Sequence, residues 1–192
     1  MDFEILKKEF GDIFSPGFKE IFNRGIEEIS RFKDDLNGLG HTIKLLDYLS
    51  QIKKNSIIEL SNTEYESLIL ASVWHDLWKA SHANDTLLIL SGLFVEGFFA
   101  ARTFELEAHK LDYDKGLTNK VSYVIKKHSE FSFVRETRES RVFHDVDQLA
   151  GRESISLKLK NKKIIIKTVY LIQKILPQFY YYSEIRGLKE QK

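Results

Sequence analysis

The stretch that decides the fold is residues 63–79, which read TEYESLILASVWHDLWK. Thr63 and Glu66 have the spacing of a capping box, in which a hydroxyl and a carboxylate each bond the backbone N–H of the other residue. This pattern predicts that a helix begins at Thr63. The segment behind it, residues 68–77, is apolar nearly all round. We expect such a helix in the middle of a bundle, because a helix that meets water keeps a polar face.

The rest of the chain also favours helix, since Pro16 and Pro177 are its two prolines. Helical patterns cover roughly residues 3–12, residues 18–32, a third helix opened by Asn37-Gly38, a long helix from Asp85 to about residue 110, and segments near 121–125 and 140–150. Asp114-Lys115-Gly116 is typical of a turn, residues 156–162 alternate like an edge strand, and residues 164–176 look helical up to Pro177. We predict an all-α, single-domain bundle over residues 1–192, with a short β-like segment near residues 156–162.

The composition excludes several kinds of site. The chain has no cysteine, which rules out thiolate metal sites, disulfides and cysteine nucleophiles. Any metal must therefore be held by imidazole and carboxylate. A net charge of +1 gives no support for a protein built around a nucleic-acid backbone. The N-terminus lacks the pattern of a signal peptide, and no apolar run approaches the roughly 18 residues of a membrane span, so we expect a cytoplasmic protein without a membrane partner.

Polar side chains at core-facing positions are the candidates for chemistry. His75 and Asp76 lie near the end of the most apolar helix, where an unpaired charge would be costly to bury. A divalent cation would satisfy both side chains. Neighbouring residues on a helix point about 100° apart, so other helices would have to complete the shell. His41 shares a stripe with Leu45 and Leu49, and His128 lies on the apolar face of its own helix.

These positions also have simpler interpretations. His41, His75 and Asp76 could form a hydrogen-bonded polar cluster without a metal, and His128 is equally well explained as a core histidine with ordinary partners. We expect the other three histidines on the surface, namely His82, His109 and His144. Near the end of the bundle, Asp145 and Asp147 each share a helical face with apolar residues, and periodicity does not choose between them.

Taken together, these stretches resemble the HD superfamily of metal-dependent phosphohydrolases. The family pattern is a histidine, a His-Asp pair and a distant aspartate on the helices of an α bundle. The matching stretches are GHTIKL at residues 40–45, ASVWHDLWK at 71–79, VIKKHS at 124–129 and DVDQLAG at 145–151. His41 precedes His75 by 34 residues, and Asp147 follows Asp76 by 71. The resemblance covers about residues 36–152 as the HD core, flanked by N-terminal helices and a C-terminal helical extension.

The resemblance implies a metal site and a reaction. The implied ligands of one divalent ion (Mn, Fe, Co, Ni, Zn or Mg) are His41, His75, Asp76 and Asp147. The family pattern Asp-x-Asp-x-Leu favours Asp147 over Asp145. The implied activity is hydrolysis of a phosphate ester in a nucleotide or another small phosphorylated metabolite, with a metal-activated water as nucleophile. Asp76 would then take part in catalysis as well as in metal binding.

The same resemblance suggests roles for three further residues. Lys79 would neutralise a phosphate oxygen. His128 would bind the substrate, assist the leaving group or orient a ligand. Asp145 would take a proton from the water or hold a ligand histidine.

Three positions depart from the family pattern. Trp78 stands where the family often has glycine, and Gln148 replaces a usual arginine or lysine after the last aspartate. The long helix carries Glu96 where two-metal branches carry histidines, which favours a single metal and leaves Glu96 as a candidate ligand. These departures motivate an alternative, in which the chain is a catalytically inactive metal- or ligand-binding module that acts in regulation or interaction.

Each of the remaining features has one functional interpretation and one simpler structural interpretation. The lysines at positions 158, 160, 162, 163 and 167 would attract nucleic acid, but a solvated face is the commoner use of such a run. The aromatic cluster at residues 179–182 would stack a base, or else pack the terminal segment or form a homodimer contact. Trp74 and Trp78 would wall a pocket for a base or sugar, or else belong to the core.

Overall fold

The computed structural model of the chain describes residues 2–32, 38–82, 86–128 and 137–158. In these ranges the chain forms helices and no strand, so the prediction of an all-α bundle is confirmed. The helices are α1 (Phe3–Phe10), α2 (Phe18–Ser30), α3 (Leu39–Lys54), α4 (Asn62–Trp74), α5 (Leu77–Ser81), α6 (Thr86–Lys110), α7 (Lys115–Lys127) and α8 (Arg138–Lys158).

Helix α4 is the centre of the bundle, as its apolar sequence predicts. Every residue from 65 to 74 is buried, and α2, α3, α6, α7 and α8 all pack against this helix. Its start was predicted wrongly. The capping box consists of Ser61 and Glu64: the Ser61 hydroxyl accepts from the Glu64 N–H at 3.3 Å, and the Glu64 carboxylate accepts from the Ser61 N–H at 2.6 Å. Thr63 therefore lies inside the helix rather than at its cap.

Glu66 takes no part in the capping box, and its side chain lies in the core instead. Its carboxylate accepts hydrogen bonds from the backbone N–H of Ser15 at 3.2 Å, from the Ser15 hydroxyl, and from the Tyr113 hydroxyl at 2.6 Å. A buried carboxylate needs such donors, because desolvation without them is costly. Glu66 thereby joins α4 to the segments that precede α2 and α7.

Several other boundaries differ from the sequence prediction. Asp114-Lys115-Gly116 is not a separate turn, because Asp114 caps α7 by accepting from the Leu117 N–H at 2.8 Å and the next two residues are already helical. Helix α8 is longer than predicted, and it includes residues 156–158 of the expected β-like segment. The remaining predictions fall outside the described residues: they concern Asp85, residues 159–162, the helix at 164–176, the lysines beyond position 158 and the aromatic cluster at 179–182.

Two glycines allow helices to approach closely around α4. A Cβ atom on Gly25 of α2 would lie 2.6 Å from Nε1 of Trp74, so only glycine fits against this ring. A Cβ atom on Gly97 of α6 would lie 2.8 Å from the carbonyl oxygen of Ile125 in α7. The close approach of α6 to α7 at Gly97 places the neighbouring residue, Glu96, beside the C-terminal end of α7. His128 is the cap residue at that end. None of the helices in the described ranges is long and apolar enough to cross a membrane.

Candidate metal centre

Three helix ends and one helix interior supply the polar cluster. His41 lies in the first turn of α3, His75 is the C-terminal cap of α4, and Asp76 connects α4 to α5. Asp147 lies within α8. The two histidines and Asp76 are at most 4% exposed. His75 keeps helical backbone angles and Asp76 departs from them, so this pair stands where the chain passes from α4 to α5.

The ligand atoms of His41, His75 and Asp147 converge. One atom from each residue lies within 4.8 Å of the other two. Oδ1 of Asp147 is 2.9 Å from Nε2 of His41 and 3.5 Å from Nε2 of His75. Two ligands of one tetrahedral zinc ion, each about 2.1 Å from the metal, would be roughly 3.4 Å apart. This buried group could therefore hold a metal ion.

The hydrogen bonds of His75 leave the correct nitrogen available for a metal. Its Nδ1 atom faces the backbone carbonyl oxygens of Ala71 and Ser72, at 3.2 and 3.3 Å, so Nδ1 carries the proton and donates it. Nε2 is buried and has no hydrogen-bond partner among the described residues. A backbone carbonyl on the far nitrogen is the usual way in which proteins fix the tautomer of a metal-binding histidine.

Asp76 lies beside this group, and its two carboxylate oxygens have different partners. Its Oδ2 atom is 3.7 Å from Nε2 of His41 and 3.4 Å from Nε2 of His75. Its Oδ1 atom is 3.6 Å from Nζ of Lys79. Asp76 is therefore placed to be a further ligand on one side, while its other oxygen interacts with an ammonium group.

The electrostatics of the cluster favour positive charge beside its carboxylates. Burial lowers the pKa of His75, but the charges of Asp76 and Asp147 outweigh burial and raise it to about 10. For Asp147, burial raises the pKa of the carboxyl group. The contacts with His41 and His75 have the larger effect and lower this pKa below its ordinary value. In the absence of a metal, protons on imidazole therefore balance the carboxylates. A bound cation would displace those protons.

A second polar group adjoins the first and is centred on Glu96, which is 5% exposed. Oε2 of Glu96 is 3.1 Å from Nζ of Lys79, and Oε1 is 3.6 Å from Nε2 of His128. Nδ1 of His128 donates to the carbonyl oxygen of Ile125 at 2.5 Å. The His128 ring meets the His75 ring edge to face, with centroids 5.0 Å apart. Lys79 and His128 are thus next to the cluster, and Glu96 pairs with both of them.

The structure distinguishes the two aspartates of α8 by position. Asp147 belongs to the converging group, and Asp145 does not. Two residues apart on a helix corresponds to a rotation of about 200°, so the two side chains leave α8 on different sides. Asp145 is nevertheless 6% exposed, and it makes polar interactions of its own. Its predicted roles as a proton acceptor or as a support for a ligand histidine stay predictions.

His144 was predicted to lie on the surface, and this was wrong. It is 3% exposed, and its Nδ1 atom donates to the backbone carbonyl oxygen of His128 at 3.1 Å. His144 therefore connects α8 to the end of α7 behind the cluster. Its spacing of three residues from Asp147 was the signal that sequence reasoning missed, because residues three apart share a helix face. His109 is exposed as predicted, and His82 is half-buried against Trp78.

The two tryptophans have different surroundings. Trp74 is fully buried in the core, where its ring meets Phe104 edge to face with centroids 5.8 Å apart. Trp78 is half-buried between Phe99, with ring centroids 5.5 Å apart, and His82, with ring centroids 4.7 Å apart. The core interpretation therefore holds for Trp74, while Trp78 packs α5 onto α6 beside Lys79.

Comparison with known proteins identifies no relative: no family model, no curated protein and no solved structure matches this chain.

Proposed function

We propose that this protein is a phosphohydrolase of the HD type that uses one divalent metal ion to cleave a phosphate ester. The observation that carries the proposal is the convergence of His41, His75 and Asp147 from three helices on one buried point. Asp76 adds a second carboxylate at that point. Small phosphorylated metabolites, and nucleotides first among them, are the substrates we expect.

The donor set supports a cation of the first transition row. Two imidazole nitrogens with carboxylate oxygens suit Mn²⁺, Fe²⁺, Co²⁺, Ni²⁺ or Zn²⁺ better than Mg²⁺, which prefers oxygen ligands. The position of Nε2 of His75 supports the same assignment, because this buried nitrogen lies 3.4 Å from Oδ2 of Asp76 and 3.5 Å from Oδ1 of Asp147, and one cation would interact with all three atoms. When bound, such an ion polarises a phosphoryl oxygen and makes a neighbouring water more acidic.

The protein's own residues would then bind and orient the substrate. Nζ of Lys79 lies 3.6 Å from Oδ1 of Asp76, and this ammonium would attract a phosphate that approaches the cluster. His128 lies next to His75, and we propose that it contacts the substrate or the leaving group. Asp145 is the remaining candidate for accepting a proton, and this role depends on its access to the cluster.

The test is phosphate release by the purified protein after chelation and readdition of each metal separately. A generic phosphate ester and a panel of nucleoside phosphates would be the substrates. We expect activity that depends on the metal and falls by at least about 100-fold in His75→Ala and Asp147→Ala, because each removes a ligand. His109→Ala is the matched control, since His109 is an exposed histidine and its loss should leave activity unchanged. Full activity in the double variant His75→Ala, Asp76→Ala would rule out the mechanism.

A second candidate function is a metal-binding module without turnover. The position of Lys79 favours it, because this ammonium already interacts with Asp76 and Glu96 and its side chain is 14% exposed. Its charge is then balanced inside the protein rather than left for a phosphate. This function predicts stoichiometric metal binding without phosphate release from any substrate, and measurable turnover that His75→Ala abolishes would argue against it.

A further inference from the structure

Asp76 connects two adjacent polar sites. One of its oxygens faces the imidazoles of His41 and His75, and the other faces Nζ of Lys79. A carboxylate that presents one oxygen to each of two neighbouring cations is a common arrangement in centres that hold two metals. Here the second position next to Asp76 is taken by an ammonium group.

The surroundings of that ammonium are those of a cation site. Lys79 lies 3.6 Å from Oδ1 of Asp76 and 3.1 Å from Oε2 of Glu96, and both carboxylates are almost completely buried. The three charged groups come from three different parts of the fold: the link between α4 and α5, α5 itself, and α6. The interaction is therefore a built feature of the interior and not a surface ion pair.

His128 provides an independent indication that a cation fits there. Because its Nδ1 proton is donated to Ile125, its Nε2 atom presents a lone pair in the neutral ring. Nε2 is buried, has no hydrogen-bond partner among the residues described, and lies 3.6 Å from Oε1 of Glu96. While the ring is neutral, Nε2 of His128 and Oε1 of Glu96 are both acceptors, and a positive charge close to both stabilises them at this distance.

We propose that the ammonium group of Lys79 occupies the place of a second metal ion beside the metal centre and limits the protein to one divalent cation. Glu96 is the positioning residue that keeps Lys79 there. The proposal rests on the metal centre described above, but it does not depend on which reaction that centre carries out.

The charges of the site agree with a single divalent ion. Asp76, Glu96 and Asp147 together contribute three negative charges, and Lys79 contributes one positive charge. One divalent ion would bring the buried site to neutrality while its histidines are neutral. A second divalent ion beside Lys79 would leave two uncompensated positive charges in the interior, which is strongly unfavourable. Removal of the ammonium would lift this restriction.

The experiment counts metal ions bound per chain. Chelator-treated protein would be equilibrated with Mn²⁺ by dialysis, and the bound metal measured by elemental analysis and by electron paramagnetic resonance. We expect one Mn²⁺ in the wild-type protein and two in Lys79→Met, with the resonance broadened because the two ions are close. Lys79→Arg is the matched control and should bind one ion, because it keeps the positive charge. The double variant Lys79→Met, Glu96→Gln should return to one ion, since the second position then loses a charged ligand.

Each result decides the proposal. One ion in a folded Lys79→Met protein would overturn it, as would two ions or none in the wild-type protein. Circular dichroism would show whether each variant is folded, and Lys79→Gln carries the same expectation of two ions if Lys79→Met does not fold. Phosphate release measured on the same samples separates this proposal from the proposed function. An increase from one ion to two without any hydrolysis would support the counter-ion role of Lys79 and contradict the enzymatic role.

Discussion

Oδ1 of Asp147 lies 2.9 Å from Nε2 of His41, although 106 residues separate the two along the chain. The contact joins the start of α3 to the interior of α8, which pack against each other beside α4. Local pattern along either helix does not determine that these two side chains meet. Their meeting at the buried nitrogen of His75 is what makes the cluster a candidate metal centre.

The contact predicts that the two aspartates of α8 differ in their effect on metal binding. Asp147→Ala should weaken Mn²⁺ or Zn²⁺ binding by at least about 100-fold, because a ligand that contacts both histidines is lost. Asp145→Ala is the matched variant, and it should change the affinity by less than about tenfold, the lower limit for a residue that supports a ligand. Isothermal titration calorimetry would measure both dissociation constants. Equal losses in the two variants would contradict the assignment of Asp147.

The pKa of His75 predicts a pH dependence of stability in the metal-free protein. Its folded-state pKa of about 10 lies above the ordinary value of 6.5, so the folded state holds the proton more tightly than the unfolded state. The resulting stabilisation is fully present below pH 6.5 and is lost as the pH rises from 6.5 to 10. The free energy of unfolding, measured by urea denaturation after chelation, should therefore decrease over this range. His75→Gln should decrease less over the same range.

Metal binding should depend on pH in the opposite direction to the stability of the metal-free protein. Because the ion displaces protons from the ligands, its affinity should rise with pH up to the region where the histidines are already neutral. Titrations of the same protein with Zn²⁺ or Mn²⁺ at several pH values would show this. An affinity that is independent of pH below 6.5 would mean that the metal binds somewhere other than at the histidines.

Tyr113 predicts a separate loss of stability at alkaline pH. Burial raises the pKa of its phenol, and the hydrogen bond to Glu66 raises it further. The folded state therefore keeps the proton above pH 10, where the unfolded state releases it, and stability falls as the pH rises beyond 10. Tyr113→Phe should flatten this part of the profile. At neutral pH it should cost about 1–3 kcal/mol, since the buried Glu66 carboxylate loses a donor.

The control for this prediction is Tyr123→Phe, because Tyr123 is a half-buried tyrosine, whereas the hydroxyl that donates to Glu66 belongs to Tyr113. It should leave the alkaline part of the profile as in the wild-type protein. Urea denaturation between pH 8 and pH 11 would compare the three proteins. The same slope above pH 10 in wild type and Tyr113→Phe would show that another group causes the loss.

The sequence predicted the positions that depend on local pattern. The apolar stretch behind Glu64 could only be a central helix, so His75 and Asp76 had to be buried at its end. Because His41 lies on the same side of its helix as Leu45, its imidazole was predicted to face the core, and it is buried there. These inferences succeed because helical periodicity alone decides which side of a helix is covered.

Other positions depend on contacts between distant segments, and local pattern was not sufficient for them. Glu66 has the spacing of a cap residue, yet Ser15 and Tyr113 hold it in the core. The buried position of His144 depends on the packing of α8 against the end of α7. The pairing of Lys79 with Glu96 likewise depends on how α6 folds back over α5, which the spacing of the two residues does not determine.

Gly97 controls the packing that brings Glu96 to His128, and this gives a last prediction. A Cβ atom at position 97 would lie 2.8 Å from the carbonyl oxygen of Ile125, and backbone atoms cannot move aside as a flexible side chain would. Gly97→Ala should therefore push α6 away from α7 and destabilise the protein by about 1–3 kcal/mol in urea denaturation. Gly151→Ala in α8 is the matched control, because a Cβ atom there would have no neighbour within 4 Å.

The two alanines should act in opposite directions. With space around it, alanine at position 151 should stabilise its helix by up to about 1 kcal/mol, since alanine loses less backbone entropy than glycine when a helix forms. Gly97→Ala should also alter Mn²⁺ stoichiometry or affinity in the Lys79→Met background, because it moves Glu96 relative to His128. Equal stability of the two glycine variants would mean that α6 and α7 do not approach each other as closely as these contacts require.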